Sequence, residues 1–472
     1  MAELPLPVLT VCIVLPLAAA AAARRMNEDS RARRLATGAL VVTMALLLDV
    51  LRRVLAAGGG ALAEPWGTSE AWLIADGLNA VPMVLFTAIA LVALIAAPKR
   101  DATRDFLVSL LTLTASTLAV YASANLLLLL AAWLVPLFPV VFRKPARMVR
   151  IVLGASGLCL AAAAVLITAA GEHALSLSFV NRSGAGGPWA FAFLILAAIL
   201  RDRIFPFHRA TVALFDGRPV LLAALLVNAQ LGVFLIARVA MPLFPEIAAT
   251  ALPWLGGLAL FTTIYTAVLG LAEGHPRRVL ALLMASQSAG IFTGLATASH
   301  EGVAGAFMQW IVLAVSSTIL IAVYRSVEVR VGHAFGEDVF LGLAATMPRL
   351  AVFFVISALT MVGLPGTLGF AGEDLLLHGV LAEYPWWGAA LPAAIALNAY
   401  HGFRLFARLF LGKDTLTRDT AFDALPRERW ALSACLAFLV WGGLVPREVV
   451  ALQAPAAGAL VRTVGSDAQP HP

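Results

Sequence analysis

The sequence predicts an all-α polytopic membrane protein of about fourteen transmembrane helices, with two inverted five-helix repeats and two broken helices. Three observations predict it. Of its 472 residues, 61% are hydrophobic and only 13% charged, against the roughly 25% charged of a soluble domain. Apolar runs of about 20 residues recur along the whole chain, each long enough to cross about 30 Å of hydrocarbon as a helix; within lipid a helix satisfies its own backbone groups. Basic residues collect in every second loop, as they do where those loops face the cytoplasm. The net charge of +6 does not describe a nucleic-acid surface, because the arginines lie in short segments between apolar runs and form no single patch.

In chain order, spans are expected at approximately 5–23, 37–57, 76–98, 103–121, 124–142, 148–170, 188–208, 218–240, 251–272, 277–298, 302–324, 349–382, 386–411 and 428–450. The first apolar run has no basic region before it and Arg24 and Arg25 after it. That is the reverse of a cleavable signal peptide, so the run is expected as a retained first helix. In helix two, Asp49 and Arg53 stand four apart and pair on one face. The basic loops carry Arg24, Arg25, Arg31, Arg33 and Arg34; then Lys99, Arg100 and Arg104; then Arg143, Lys144, Arg147 and Arg150; then Arg277 and Arg278. The alternate loops carry Glu64, Glu70 and Asp76, and Glu172, His173 and Arg182. Both termini are therefore expected outside the cytoplasm, in a bacterial-type inner membrane. Residues 1–455 read as a single transmembrane domain, with repeat one at about 103–240 and repeat two at about 251–411, and 456–472 reads as a polar tail. Cys12, Cys159 and Cys435 stand alone in apolar stretches, without the pairing of a zinc site or disulfide framework. Asn125, Asn228 and Gln287 suit hydrogen bonding between helices.

Two spans are interrupted. Helix seven breaks near Pro206, within "RDRIFPFHR" at 201–209, and helix twelve breaks at "GLPGTLGF", where Gly363, Pro365, Gly366 and Gly369 crowd one stretch and Glu373 follows. These are the fourth members of helices four to eight and nine to thirteen. Broken helices at matching places in two halves point to inverted repeats around a site near the membrane midplane. Neighbours on a helix point about 100° apart, so Arg201, Asp202 and Arg203 cannot all pair on one face. At a bilayer centre each charge costs roughly 2.5–3.5 kcal/mol, which restricts them to a helix break, a wet cavity or the interface. Two readings are open for the triplet: a cytoplasmic helix end, or charges in a functional cavity. Glu373 likewise reads either as an intramembrane functional carboxylate or as a cap on the second half-helix. His401 and Arg404 either line the second half of the molecule or sit at an exposed helix end.

Several stretches together resemble a known family: "ADGLNAVPMVL" at 75–85, "SANLLLLLAAWLVPLFPVVF" at 123–142, "RDRIFPFHR", "HPRRVLALLMASQSAG" at 275–290 and "MPRLAVFFVISALTMVGLPGTLGFAGE" at 347–373. They are similar to the antiporter-like, proton-translocating membrane subunits of respiratory complex I, the M, L and N chains of bacterial NADH:quinone oxidoreductase. The resemblance covers nearly the whole chain, which is similar to the M and N types because no long helix is expected after the fourteenth span. It implies fourteen helices in two inverted repeats and a role in moving protons or cations when quinone is reduced elsewhere in an assembly. The implied partners are the other membrane subunits, the lipid bilayer and the ion, with no nucleic acid.

The family's relay positions fall on altered residues. Where it has a glutamate after the helix-five tryptophan, Trp133 is followed by Leu134; its lysines of helices seven, eight and eleven fall on Arg201, Gln230 and Ser317. Gln309 and Leu313 stand where histidine is often found, and only the helix-twelve acid is kept, as Glu373. Arginine stays protonated in proteins, whereas lysine is readily tuned. The expected ion pathway comprises Arg201, Asp202, His208, Gln230, Ser317, Glu373 and Asp374, with conduction resting on water, Glu373, Asp374 and His208. No phosphate-binding glycine motif, cysteine cluster or nucleophile triad is present in the sequence, so no cofactor, metal or catalytic centre of its own is expected. The other reading is a divergent, non-conducting paralogue, acting as a scaffold or as the membrane subunit of another ion or inorganic-carbon transporter.

Overall fold

The computed structural model describes residues 2–4, 6–64, 71–138, 146–169, 187–217, 219–332, 340–413 and 422–465. Of the loop charges named above, Glu70, Arg143, Lys144, Glu172, His173 and Arg182 lie outside the described residues. The described elements are α1 (Val8–Arg25), α2 (Asp29–Ala56), α3 (Ala80–Ala96), α4 (Arg104–Ala122), α5 (Leu126–Leu134), α6 (Arg147–Thr168), α7 (Gly187–Asp202), α8 (Arg209–Asp216), α9 (Val220–Asn228), α10 (Leu231–Leu235), α11 (Met241–Leu243), α12 (Pro245–Ala272), α13 (Pro276–Leu295), α14 (His300–Val331), α15 (Pro348–Thr360), α16 (Leu368–Glu383), α17 (Pro385–Phe410), α18 (Pro426–Leu444) and α19 (Pro446–Gly465). Two-residue strands at Ala2–Glu3, Leu62–Ala63 and Ile74–Ala75 form a small sheet in that order, parallel then antiparallel.

The protein is a helical, membrane-type molecule. Among the described residues seven helices are long and apolar enough to cross a membrane, or eight if α18 and α19, bent by 86° at their junction, count as one span; α3, α15 and Leu126–Leu137 are shorter apolar helices. An 18-residue stretch within Val220–Leu243 and another within α14 are fully buried, and one within α13 nearly so. These form the centre. The helices around them turn large apolar side chains outward, with Trp254 84% and Trp386 88% exposed, an ordinary surface where the solvent is hydrocarbon.

α14 and α16 cross with their backbones in close contact. A Cβ on Gly305 would lie 2.3 Å from the Leu376 amide nitrogen, and one on Gly379 would lie 2.2 Å from that of Gly302. Glycine is required at such a contact because, in lipid, helices associate through close van der Waals packing and any side chain forces them apart.

The two expected breaks fall between α7 and α8 and between α15 and α16. α7 ends at Asp202, Arg203 takes a left-handed φ of +59° and Pro206 follows. α15 ends at Thr360, and Gly363 and Gly366 adopt φ of +77° and +83° before α16 starts at Leu368. Pro365 lies between them, where its missing N–H breaks no helical bond.

Helices two and nine begin early, at Asp29 and Pro245, and three further elements differ from the sequence expectation. Helix eight is not continuous: Gln230 takes φ +44° between α9 and α10, and a π-turn at Ile236–Ala240 leads into α11. The run "VNAQLGVFLIAR" carries no proline at these points, and the break at Gln230 is held by hydrogen bonds from other helices. Helix eleven runs unbroken to Val331. The expected polar tail from 456 begins inside α19, whose buried Val449, Gln453, Ala456, Ala457 and Leu460 follow the i, i+4, i+7, i+8, i+11 spacing of an amphipathic helix. Pro446 explains the bend, since proline ends one helix and is favoured at the first position of the next.

Candidate functional site

The charged triplet at the end of α7 is buried, with Arg201 2% exposed. Each member points to its own partner. The Arg201 guanidinium donates to the Trp133 carbonyl at 3.0 Å and lies 4.7 Å from the centroid of the Trp133 indole, so a carbonyl and a π face replace its water. The indole is itself held, donating to Ser156 Oγ at 3.1 Å, and that hydroxyl donates to the Ala197 carbonyl at 2.7 Å. Asp202 Oδ2 accepts the Val233 backbone N–H at 3.1 Å, at the first turn of α10 where the free N–H groups favour a carboxylate. Gly232 makes room, since a Cβ there would lie 2.7 Å from Oδ2. Arg203 donates to Thr211 Oγ1 at 3.1 Å.

Beyond the triplet, uncharged polar side chains join the interrupted helix eight to α13 and α14. Gln230 Oε1 accepts from Ser288 Oγ at 3.0 Å, and its Nε2 donates to the Val227 carbonyl at 3.0 Å. Ser317 Oγ donates to Asn228 Oδ1 at 2.9 Å, and Trp310 Nε1 donates to the Asn228 carbonyl at 2.9 Å. The Tyr121 hydroxyl donates to the Ala229 carbonyl. The freed carbonyls of the break are thereby occupied.

Three consecutive residues of α13, Ser286, Gln287 and Ser288, are buried and act as a junction. Ser288 reaches Gln230, as above. Gln287 Oε1 accepts from Gln309 Nε2 at 2.9 Å, and Gln287 Nε2 donates to the Met361 carbonyl at 3.0 Å, at the start of the second break. Ser286 Oγ accepts from Asn398 Nδ2 at 2.9 Å and donates to the Thr263 carbonyl at 2.8 Å.

Glu373 sits inside the second break. Its carboxylate lies against Gly363, where a Cβ would come within 2.3 Å of Oε2. Glu373 Oε1 is buried without a hydrogen-bond partner, as is Gln309 Oε1, and Gln309 lies beside Gly372, the neighbour of Glu373. In the order of these contacts, the buried polar residues run as a row from Trp133, Arg201 and Asp202 at the first break, past Gln230 and Ser288 and then Gln287 and Gln309, to Glu373 at the second.

Ser317 adjoins this row only through Asn228, and two further expected pathway residues are not brought into it. Asp374 is exposed and pairs with His378 on the outer surface at 3.4 Å, because one step along α16 from Glu373 turns the side chain away. His208 is buried, but its ring stacks on Phe205 at 5.9 Å and meets Tyr265 edge-on at 5.1 Å, within an aromatic cluster on α12. At the relay position after Trp133, Leu134 packs against α6, where Gly157 leaves space for it. Asp49 pairs with both Arg52 and Arg53 on the exposed face of α2.

The sequence reading missed a buried ion pair. Asp76, taken there as a loop acid, pairs with Arg238 on the π-turn of helix eight, while Asp76 Oδ1 accepts the Leu78 and Asn79 N–H groups. An arginine within an apolar span is itself a signal, and Arg238 carried it. Glu64, also taken as a loop acid, is buried and accepts from the Thr10 backbone and hydroxyl. A second missed cluster joins Asp101, Arg325, Glu328 and Arg277, with Arg325 to Asp101 at 2.7 Å and Arg277 to Glu328 at 2.6 Å.

Fold and site together define a polytopic helical membrane protein with interrupted helices and a row of buried polar and charged groups between them. A profile described as "NADH:quinone oxidoreductase/Mrp antiporter, TM" matches residues 145–397, and the chain belongs to that family. Among similar sequences are NADH-quinone oxidoreductase subunit M of Rickettsia typhi, 26% identical over 54% of this chain and 52% of the relative, and that of Rhodobacter capsulatus, 28% identical over 52% and 48%. The chain spans about half the length of these relatives. Among solved structures, a chain of respiratory complex I from Thermus thermophilus matches with a TM-score of 0.86 at 22% identity, over 97% of this chain and 100% of that one. A chain of the Mrp complex from Dietzia matches at 0.84 and 16%, over 97% and 98%. At those identities the likeness is one of fold.

Proposed function

We propose that this chain is a membrane-arm subunit of a complex I-like NADH:quinone oxidoreductase or related assembly, and that it contributes to proton or cation translocation coupled to quinone reduction. The supporting observation is the set of buried polar residues between the break at Arg201–Pro206 and the break at Gly363–Gly366, in which Gln230 bonds Ser288 and Gln287 bonds Gln309 and the Met361 carbonyl. Its place is a multi-pass position in a bacterial-type inner membrane, with other membrane subunits as partners and both termini outside the cytoplasm. Pairing α7 with α8, α9 with α10 and α11, α15 with α16, and α18 with α19 divides the described helices into about fourteen spans. Two inverted repeats, helices four to eight and nine to thirteen, then each carry an interrupted fourth span. Within and beside the row, Arg201 biases its neighbours without releasing a proton, Gln230 and Ser317 hold hydrogen bonds, and Asp202 and Glu373 are the titratable groups.

The test is ion uptake by vesicles that contain the assembled complex. Glu373→Gln keeps the shape and removes the ionisable proton, and it is expected to lower uptake per complex at least tenfold. Parental uptake in that variant would instead support the non-conducting scaffold reading, which the missing carboxylate at Leu134 and the unreactive Gln230 and Ser317 also suit.

A further inference from the structure

We infer that the outward face of α16 is a docking surface for a transmembrane helix of another subunit, one that brings a lysine or arginine to Asp374; this rests on the membrane-arm reading above. Phe370, Asp374, His378 and Leu381 stand at i, i+4, i+8 and i+11 and so share one face. All four are exposed, Phe370 by 49% and Leu381 by 44%, and the side chains of Asp374 and His378 by 52% and 63%. Gly372 and Gly379, on the inward side of the same helix, close against α14.

Two measures put Asp374 within the hydrocarbon. Along α16 it stands about 13 Å, by helical rise, from the helix end at Glu383. Trp386, exposed just past that end, suits the membrane boundary, where such rings collect. Across the bundle, Leu376 meets Gly305 and Gly372 meets Gln309, so Asp374 is level with Phe307, about 9 Å past Glu301 in the first turn of α14. Half the hydrocarbon thickness is about 15 Å.

A carboxylate at that depth is costly against lipid tails, and aspartate is too short to reach the headgroups as lysine and arginine do. Its own helix does not satisfy it. His378 Nδ1 lies 2.8 Å from the Asp374 backbone carbonyl and 3.4 Å from Oδ1, so its one proton is directed to the carbonyl. Among the described residues no other side chain bonds the carboxylate, which has about four acceptor sites. A cation on a neighbouring helix supplies both the charge and the donors, while Phe370 and Leu381 offer apolar contact on either side of it. A second copy of this chain, docked through the same face about a two-fold axis along the membrane normal, would set Asp374 against Asp374. Repulsion disfavours that pairing, and the complementary partner is a different, cationic helix.

The experiment follows the full chain in its own membranes, measuring the amount inserted and the share recovered in assembled complex. Asp374→Lys is expected to insert at parental amount and to lower the assembled share at least tenfold, while Asp374→Asn, which keeps an acceptor, lowers it less. The photo-crosslinking variant Leu381→benzoylphenylalanine is expected to join the chain to another membrane subunit, at a helix that carries a lysine or arginine. Parental assembly of Asp374→Lys would overturn the docking surface, as would crosslinking only to lipid or to a second copy of this chain; other subunits still co-purifying would leave the proposed function standing. A parent chain that purifies with no other membrane subunit would overturn both. Where Asp374→Lys inserts poorly, the crosslink made by the chain with its aspartate intact decides the question.

Discussion

Arg201 and Arg238 show how a buried guanidinium survives in this chain. The first has a carbonyl and an indole face; the second has the Asp76 carboxylate. The two differ in what a substitution leaves behind. Removing Asp76 takes a carboxylate partner from a cation whose side chain is fully buried, and losing one partner of such a pair costs about 3–5 kcal/mol. Asp76→Ala is therefore expected to lower the melting temperature of the purified protein markedly, whereas Asp49→Ala, on an exposed face, costs at most about 1 kcal/mol. The first of these residues was legible in the sequence through its run of charges and the following proline. Arg238 was as visible in composition, but its partner was not, because Asp76 is 162 residues away and no local pattern joins them.

At the scale of elements, glycine decides where helices interrupt and where they touch. Gly363 and Gly366 supply the left-handed backbone of the second break, a conformation that costs an ordinary L-residue about 1–2 kcal/mol. Gly305 and Gly379 supply contact between α14 and α16. Gly379→Ala is expected to destabilise the fold by about 3 kcal/mol, the upper range for overpacking, seen as a lower melting temperature and less assembled complex. Gly38→Ala is the control. Nothing lies within 4 Å of a Cβ there, and in helix α2 alanine is favoured over glycine by about 1 kcal/mol. Both expected breaks could be read from sequence, the first from Pro206 within its run of charges and the second from its cluster of Pro and Gly. The interruption at Gln230 could not: its left-handed turn is held by Ser288 on another helix and by the fit of Asp202 over Gly232.

For the whole molecule, the junction on α13 is the point through which the two interrupted regions meet. Gln287→Leu removes its hydrogen bonds to Gln309 and the Met361 carbonyl and leaves a buried amide unpaired, at about 1–3 kcal/mol. Ion uptake per assembled complex is expected to fall as far as in Glu373→Gln, while Gln287→Asn retains part of it. Parental uptake in Gln287→Leu would show that the two regions work apart. The apolar runs by themselves determined a helical membrane protein, because in hydrocarbon an unpaired backbone group is too costly for any open irregular chain. The glycines and prolines determined two of its breaks, and the motif around Glu373 determined the family it resembles. Only the tertiary structure decided that Asp374 faces outward while Glu373 faces in, that Asp76 belongs to Arg238, that α19 is an amphipathic helix turned back on the core, and that Gln287 joins Gln309 to the second break. Each of those depends on which distant side chain fills the space opposite, and a burial pattern along one helix fixes a face without naming its partner.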